Sequence, residues 1–253
     1  MSDDFFVGYL PAPASCAART RRIAWWLLGA SVAGAALFAA ATGPFDRAVF
    51  EYGETRAWRG TIETEPVPVL LARESSDGSP FAAVVRYPLV AEGKHGAGGV
   101  VAAFDGRPVT VRGRRIVRGS TTMIELADIE PYEPALPTGG PPPPATRIVD
   151  EGRRVLTGEI VDSKCFLGVM NPGRLAVHRA CALRCLAGGI PPMLFARDER
   201  GREAHLILVA ADGSPLGSRI ADLVGRPVEV SGRLERRDDL DYLYADGWRL
   251  IRR

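Results

Sequence analysis

The sequence predicts a mainly β protein: one N-terminal transmembrane helix followed by two tandem OB-like small β-barrels, the second with a short Cys/His-bearing helical insertion. Three observations lead to this prediction: an uncharged apolar run, an internal repeat of strand-forming segments, and a Pro/Gly-rich tract, Pro137 to Pro144, typical of an extended spacer. The predicted divisions are 1–22 (cytoplasmic segment), 23–42 (transmembrane helix), 50–134 (first OB-like domain), 135–149 (linker) and 150–253 (second OB-like domain).

The apolar run from Ile23 to Thr42 has no charged residue and is long enough to cross a bilayer as a helix. Three arginines between residues 19 and 22 precede it and only Arg47 follows closely. The positive-inside rule therefore predicts a bacterial inner-membrane protein with a cytoplasmic N-terminus and periplasmic residues 43–253. A cleaved secretory signal with small residues near Ala39 to Ala41 is the alternative, although the segment before the run is long for one.

The internal repeat is clearest in two segments near the ends of the predicted barrels. Residues 106–114 read GRPVTVRGR and residues 225–233 read GRPVEVSGR, identical at seven of nine positions. Alternating apolar residues predict half-buried antiparallel strands, and Gly113 and Gly232 predict a bend or bulge in each copy. Several short strands per copy are typical of an OB-type barrel. We expect segment 81–93 to occupy, in the first barrel, the place of the cysteine-bearing segment in the second.

That cysteine-bearing segment, residues 165–192, holds three of the four cysteines and one of the three histidines. His178, Cys181 and Cys185 are spaced by three and four residues, so a helix would place them on one face. Cys165, thirteen residues before His178, could fold back as a fourth ligand. A Cys3His set suits tetrahedral zinc. The predicted metal ligands are therefore Cys165, His178, Cys181 and Cys185.

Other interpretations of the cluster stay open. Soft sulfur and imidazole ligands also suit copper, Met170 and Met193 flank the cluster, and iron is a further alternative to zinc. The CxxxC spacing of Cys181 and Cys185 resembles the copper motif of Sco-type oxidase assembly proteins and of the copper centre in oxidase subunit II. A disulfide that leaves one reactive thiol is a further alternative outside the cytoplasm. Asp162 and Lys164, which lie beside Cys165, are charged neighbours that could tune a thiolate.

Composition and motifs argue against several classes of function. The net charge is only +2 and aromatic residues make up 8% of the chain, so we expect no nucleic-acid partner. The sequence has no GxSxG, phosphate loop, HExxH or CxxCH, so it predicts no enzymatic reaction and identifies no small-molecule substrate. His205 lies in an AHLILVA strand pattern, which is typical of a core or edge histidine.

Two pieces of the chain resemble a group of bacterial membrane-anchored proteins. They are DFFVGYLP, Asp4 to Pro11, and the block from Gly158 to Pro192 that contains GEIVDSKCFLGVMNPG and HRACALRCLAGGIPP. The resemblance implies an OB-like domain with a recurring Cys/His site, and no particular reaction. The resulting hypothesis is a periplasmic metal-binding accessory or assembly subunit of a membrane complex, such as a respiratory one, anchored in the bilayer through residues 23–42. The alternative is a copper-handling or thiol-redox protein that uses Cys181 and Cys185.

Overall fold

The computed structural model describes residues 14–42, 48–74, 83–133, 146–197 and 201–251, and the chain divides into two compact units, Met1–Asp46 and Arg47–Arg253. The described part of the first unit is helix α1 (Ala14–Thr42). It begins well before the predicted start at Ile23, because the intervening residues are rich in the helix formers Ala and Arg. The apolar DFFVGYLP segment and the Pro/Gly-rich tract lie outside the described residues.

Helix α1 confirms the predicted apolar N-terminal helix. Its residues 14–41 are long and apolar enough to cross a membrane, by length and composition alone. A signal sequence near the N-terminus has the same two properties, so the structure supports either a span or a signal. The orientation and the inner-membrane location stay predictions.

The second unit is mainly β, as predicted, and begins with a five-stranded barrel. Strands β2, β3 and β4 pair antiparallel in chain order, β4 pairs parallel with β6, and β5 joins β6 to β2 and so closes the ring. Strand β1 adds to the outside of β5, and a short helix α2 follows β4. The elements are β1 (Ala48–Phe50), β2 (Arg56–Glu63), β3 (Val69–Glu74), β4 (Ala83–Ala91), α2 (Gly98–Val101), β5 (Pro108–Arg118) and β6 (Thr121–Pro131).

A second closed barrel repeats the same connectivity. Strands β7, β8 and β9 pair antiparallel in chain order, β9 pairs parallel with β11, and β10 joins β11 to β7. This strand order is that of an OB fold, which confirms the predicted fold class. The elements are β7 (Ile148–Asp162), α3 (Leu175–Ala187), β8 (Pro192–Arg197), β9 (Glu203–Ala210), β10 (Pro227–Arg237) and β11 (Leu240–Leu250).

The sequence repeat marks equivalent strands, β5 and β10. In each strand the register with the following strand shifts at the predicted glycine, between Arg112 and Gly113 in β5 and between Ser231 and Gly232 in β10. A bulge at this point bends the strand and lets it pair with two neighbours around a small barrel. The predicted bulges are confirmed.

One expectation about the repeat is wrong. Segment 81–93 does not correspond to the cysteine-bearing segment, because its apolar run forms β4, the counterpart of β9. A continuous apolar run is typical of a strand that is buried on both faces. The counterpart of the cysteine-bearing connection 163–191, between β7 and β8, is the short connection 64–68 between β2 and β3.

The two barrels share an apolar cluster, and each barrel also has a buried cluster of its own. A single cluster of buried side chains contains Ile116 and Met123 from the first barrel together with Phe166, Met193 and Ile207 from the second. The predicted division into domains 50–134 and 150–253 with a linker at 135–149 stays a prediction. Residues 134–145 lie outside the described part of the chain, and β7 already begins at Ile148.

Two reciprocal polar contacts join the barrels at equivalent places. Arg86 on β4 is fully buried and its Nε donates to Asp238 Oδ2 at 2.9 Å, in the turn between β10 and β11. Its guanidinium also binds Glu63 of its own barrel at 2.6 Å. At the equivalent position on β9, His205 Nδ1 lies 2.9 Å from Thr121 Oγ1, beside the turn between β5 and β6. Each barrel therefore presents its last hairpin turn to the other.

Candidate metal centre

The connection between β7 and β8 carries all four predicted ligands. After β7, the chain makes one π-helical turn, Cys165–Val169, whose first amide is fixed by Asp162, since Cys165 N donates to Asp162 Oδ1 at 2.8 Å. The predicted helix follows as α3, whose first residue, Leu175, donates its backbone N–H to the Glu159 carboxylate. Burial raises the pKa of Glu159 against that hydrogen bond.

The structure brings the predicted ligands together in two overlapping groups of three donors. The donor atoms of Cys165, His178 and Cys181 all lie within 4.8 Å of one another, and so do those of Asp162, Cys165 and Cys185. Cys165 belongs to both groups and therefore links all the predicted ligands. The fourth cysteine, Cys16, lies on α1 in the other unit.

The distance between the two buried sulfurs matches one edge of a tetrahedral site. Zinc–sulfur bonds of about 2.3 Å in a tetrahedron place two sulfurs about 3.8 Å apart. Cys165 Sγ and Cys185 Sγ are 3.9 Å apart, and both residues are nearly fully buried. His178 is also buried, whereas Cys181 is partly exposed. The donor set thus forms a nearly closed site, as structural zinc sites do.

Asp162 has a larger role than its position beside Cys165 predicted. Its Oδ2 lies 2.9 Å from His178 Nε2, and the carboxylate is completely buried. Metal-binding histidines usually donate their second ring N–H to a carboxylate, which fixes the orientation of the ring. One carboxylate therefore orients both His178 and the turn that begins at Cys165.

Lys94 is a member of the site that sequence reasoning missed. Its Nζ lies 2.7 Å from Cys181 Sγ and 3.9 Å from Cys185 Sγ. The hydrogen bond to Cys181 raises the pKa of Lys94. Lys94 belongs to the first barrel and lies far from the cysteines in sequence, so no spacing pattern connects it with them. Lys164, the predicted neighbour, instead binds Glu125 at 2.6 Å.

Burial and the sulfur–sulfur contact give the two buried thiols different pKa values. The hydrogen bond with Cys185 and then burial raise the pKa of Cys165, and the nearby Asp162 carboxylate acts in the same direction. The same hydrogen bond lowers the pKa of Cys185, against its burial. The contact therefore shifts the pKa values of the two thiols in opposite directions, with Cys185 the more acidic of the pair.

The remaining predicted candidates lie in ordinary core or surface positions. His205 is a half-buried residue on β9 whose ring packs against Phe166 and Phe195, which matches the prediction of a strand histidine. Met193 is fully buried in the shared core, while Met170 is 44% exposed.

Comparison with known proteins adds little to this geometry. No family model matches the chain, and no curated protein matches it. The similar solved structures include single-stranded DNA-binding protein from Thermus aquaticus, in its wild-type form at 14% identity and as a deletion mutant at 15% identity. The alignments cover 83% of this chain and 89% or 90% of those chains, with a TM-score of 0.22.

These two similarities correct the prediction that the chain has no nucleic-acid partner. Both similar structures are single-stranded DNA-binding proteins, so the exclusion is wrong. The physical reason is that the net charge of +2 sums the whole chain, whereas an OB-type barrel binds a strand through one local face. A TM-score of 0.22 gives no argument about what this chain itself binds.

Proposed function

We propose that this chain is a membrane-anchored metal-binding protein whose Cys3His site holds one zinc ion at the junction of two OB-like barrels. The observation that carries the proposal is that Cys165 lies in one group of close donors with His178 and Cys181 and in a second group with Cys185. The sulfurs of Cys165 and Cys185 lie at the separation of a tetrahedral edge. When bound, zinc supplies a fixed tetrahedral link among the thiolates and the imidazole. The protein residues hold these donors in place and exclude water from three of them.

The burial of the donors favours a structural role. Catalytic zinc sites keep one position open for water or substrate, whereas this set offers four protein donors, three of them buried. Together with the absence of catalytic motifs in the sequence, this supports an accessory or assembly subunit of a membrane complex. The arginines before the apolar run support a periplasmic location for the barrels, with α1 as an uncleaved anchor.

Elemental analysis with thiol counting on the full-length chain in detergent tests the proposal. The protein should be purified without added metal in a Cys16→Ser background, so that only the three site thiols are counted. We expect one equivalent of zinc and no free thiol until the protein is denatured. A Cys181→Ser and Cys185→Ser double variant should lose the metal and unfold more easily, because a structural zinc ion stabilises the folded state.

The matched control is the Cys16→Ser protein itself, which keeps every site residue and should keep the zinc. One equivalent of copper or iron in place of zinc would retain the site and change its proposed metal. A protein without metal whose thiols all react freely in the folded state would overturn the proposal.

A thiol-redox role is the second candidate, and the structure names its cysteine pair. Cys165 and Cys185, at 3.9 Å, are positioned to form a disulfide, with loss of two protons and two electrons to an oxidant such as a periplasmic disulfide. The sequence-based alternative had named Cys181 and Cys185. Two fewer thiols in the purified protein, recovered with mild reductant, would favour this candidate.

A further inference from the structure

The loop that joins β4 to α2 in the first barrel lies directly on the metal-site connection of the second. We define this loop as residues 92–96. Besides the contact of Lys94 with Cys181, Gly96 N donates to Gly188 O at 2.9 Å. A Cβ at Gly188 would lie 1.8 Å from Lys94 O, so the two backbones touch where only glycine fits. The loop therefore covers the end of α3.

Buried contacts hold this loop against the second barrel. Lys164 Nζ donates to Ala91 O at 2.8 Å and to Gly93 O at 2.6 Å, while its charge is balanced by Glu125 of the first barrel. Ala91 N also donates to His95 O at 2.9 Å, which closes the loop on itself. The ammonium of Lys94 thus reaches Cys181 from a fixed loop backbone.

The charge of the site gives Lys94 a specific role. Three thiolates, one neutral imidazole and one divalent cation carry a net charge of −1. A charge-assisted N–H···S bond from an ammonium compensates that charge and is stronger than a neutral hydrogen bond. Groups that bond to a metal ligand from outside the coordination sphere typically change metal affinity by roughly 10–100-fold.

We propose that Lys94 is the positioning residue through which the first barrel completes the metal site, so that metal binding and docking of loop 92–96 stabilise each other. The inference rests on the proposed metal-binding function. Because coupling between two binding events is reciprocal, the factor by which docking of the loop strengthens metal binding equals the factor by which the metal strengthens docking of the loop. The docking of a loop of the first barrel then depends on whether the site in the second barrel holds a metal ion.

The test combines zinc titration with hydrogen exchange on the full-length chain in detergent, with Zn²⁺ as the probe. Competition with a chromophoric chelator gives the affinity of the wild type, Lys94→Met and Lys94→Arg. We expect Lys94→Met to bind Zn²⁺ roughly 10–100-fold more weakly and Lys94→Arg to recover most of the loss, since it keeps the charge and donors. Arg184→Met removes an exposed positive charge from α3 and should leave the affinity near that of the wild type.

Hydrogen exchange supplies a readout that a purely structural lysine would not move. In the wild type, Zn²⁺ should slow exchange of the Gly96 amide, which donates to Gly188 O. In Lys94→Met this zinc-dependent slowing should shrink by the same factor as the affinity, while amides of β9 stay unchanged.

The possible failures are distinguishable. A wild type that binds no Zn²⁺ overturns the proposed function and the inference with it. A wild type that binds Zn²⁺, with Lys94→Met equally tight and Gly96 exchange insensitive to the metal, overturns the inference alone. If Lys94→Met does not fold, Gly96 exchange in the wild type with and without Zn²⁺ still decides whether metal and loop are coupled.

Discussion

The same corner of the two barrels is built in two different ways. Between the first and second strands of the closed ring, the first barrel uses the short connection 64–68 and the second uses residues 163–191. In the second barrel this corner meets loop 92–96 and contains the cysteine cluster. In the first, Glu65 and Pro66 face the equivalent loop, Asp212 to Pro215, across a cleft of about 510 Å³.

This comparison shows which part of the corner is needed to close a barrel and which part belongs only to the long connection 163–191. The short connection shows that the five-stranded ring closes without a long insertion. The long connection adds Phe166 and Leu167, both fully buried, to the core that the barrels share. It therefore supplies inter-barrel packing as well as the candidate metal donors, and the candidate metal centre lies where the two barrels meet.

Among substitutions that test the contact between the barrels, the largest loss of stability is expected at Arg86, which binds Asp238 of the second barrel. Arg86→Met removes a buried guanidinium and leaves the carboxylates of Glu63 and Asp238 without their partner. Breaking such a buried pair typically costs about 3–5 kcal/mol in the free energy of unfolding. Denaturant unfolding followed by fluorescence measures this loss.

Its matched control is Arg249→Met, which breaks an exposed ion pair with Glu229 at 2.7 Å. An exposed pair contributes about 0–1 kcal/mol, so this variant should unfold nearly as the wild type does. Equal midpoints for the two variants would mean that the Arg86 contact does not hold the barrels together.

An intermediate effect is expected where the loop and α3 touch. Gly188→Ala places a methyl group against Lys94 O, so the loop must move away from Cys181. Overpacking of this kind typically costs about 1–3 kcal/mol, which denaturant unfolding can measure. Gly99→Ala is the control, because a Cβ there meets nothing within 4 Å, and it should leave stability unchanged or slightly higher. A Gly188→Ala protein as stable as Gly99→Ala would contradict the close contact.

The smallest change in stability is expected at His205, which occupies on β9 the position that Arg86 occupies on β4. Burial lowers the pKa of His205, and Arg118 acts in the same direction, against the opposing influence of Glu203. Because the unfolded chain then binds the proton more readily, this group stabilises the fold above its ordinary pKa of 6.5 and the stabilisation is lost as the pH falls. Unfolding free energies measured from about pH 8 to about pH 5 should therefore decline.

His205→Asn keeps a polar group near Thr121 and cannot titrate in this range. The difference between wild type and variant should therefore shrink as the pH falls. A difference that is constant across the range would show that His205 takes up no proton on unfolding.

The sequence predicted the parts of the molecule that repeat or follow a regular spacing. The strands around Gly113 and Gly232 were visible in the repeat, and the helix with His178, Cys181 and Cys185 in the three-and-four spacing. Lys94 could not be predicted, because it meets Cys181 only after two barrels have folded and packed. The assignment of segment 81–93 failed for a related reason, since apolar runs alone do not show which strand of a ring they form.

The uneven burial of the donors has a kinetic consequence. His178, Cys165 and Cys185 are at most 4% exposed, whereas Cys181 reaches the surface beside Lys94. An incoming chelator or alkylating reagent can therefore reach only Cys181 in the intact fold. The other three donors become accessible when α3 separates from the barrel, and that step is a local unfolding event. The lifetime of a bound ion would then be set by how often α3 opens rather than by the strength of any single metal–sulfur bond.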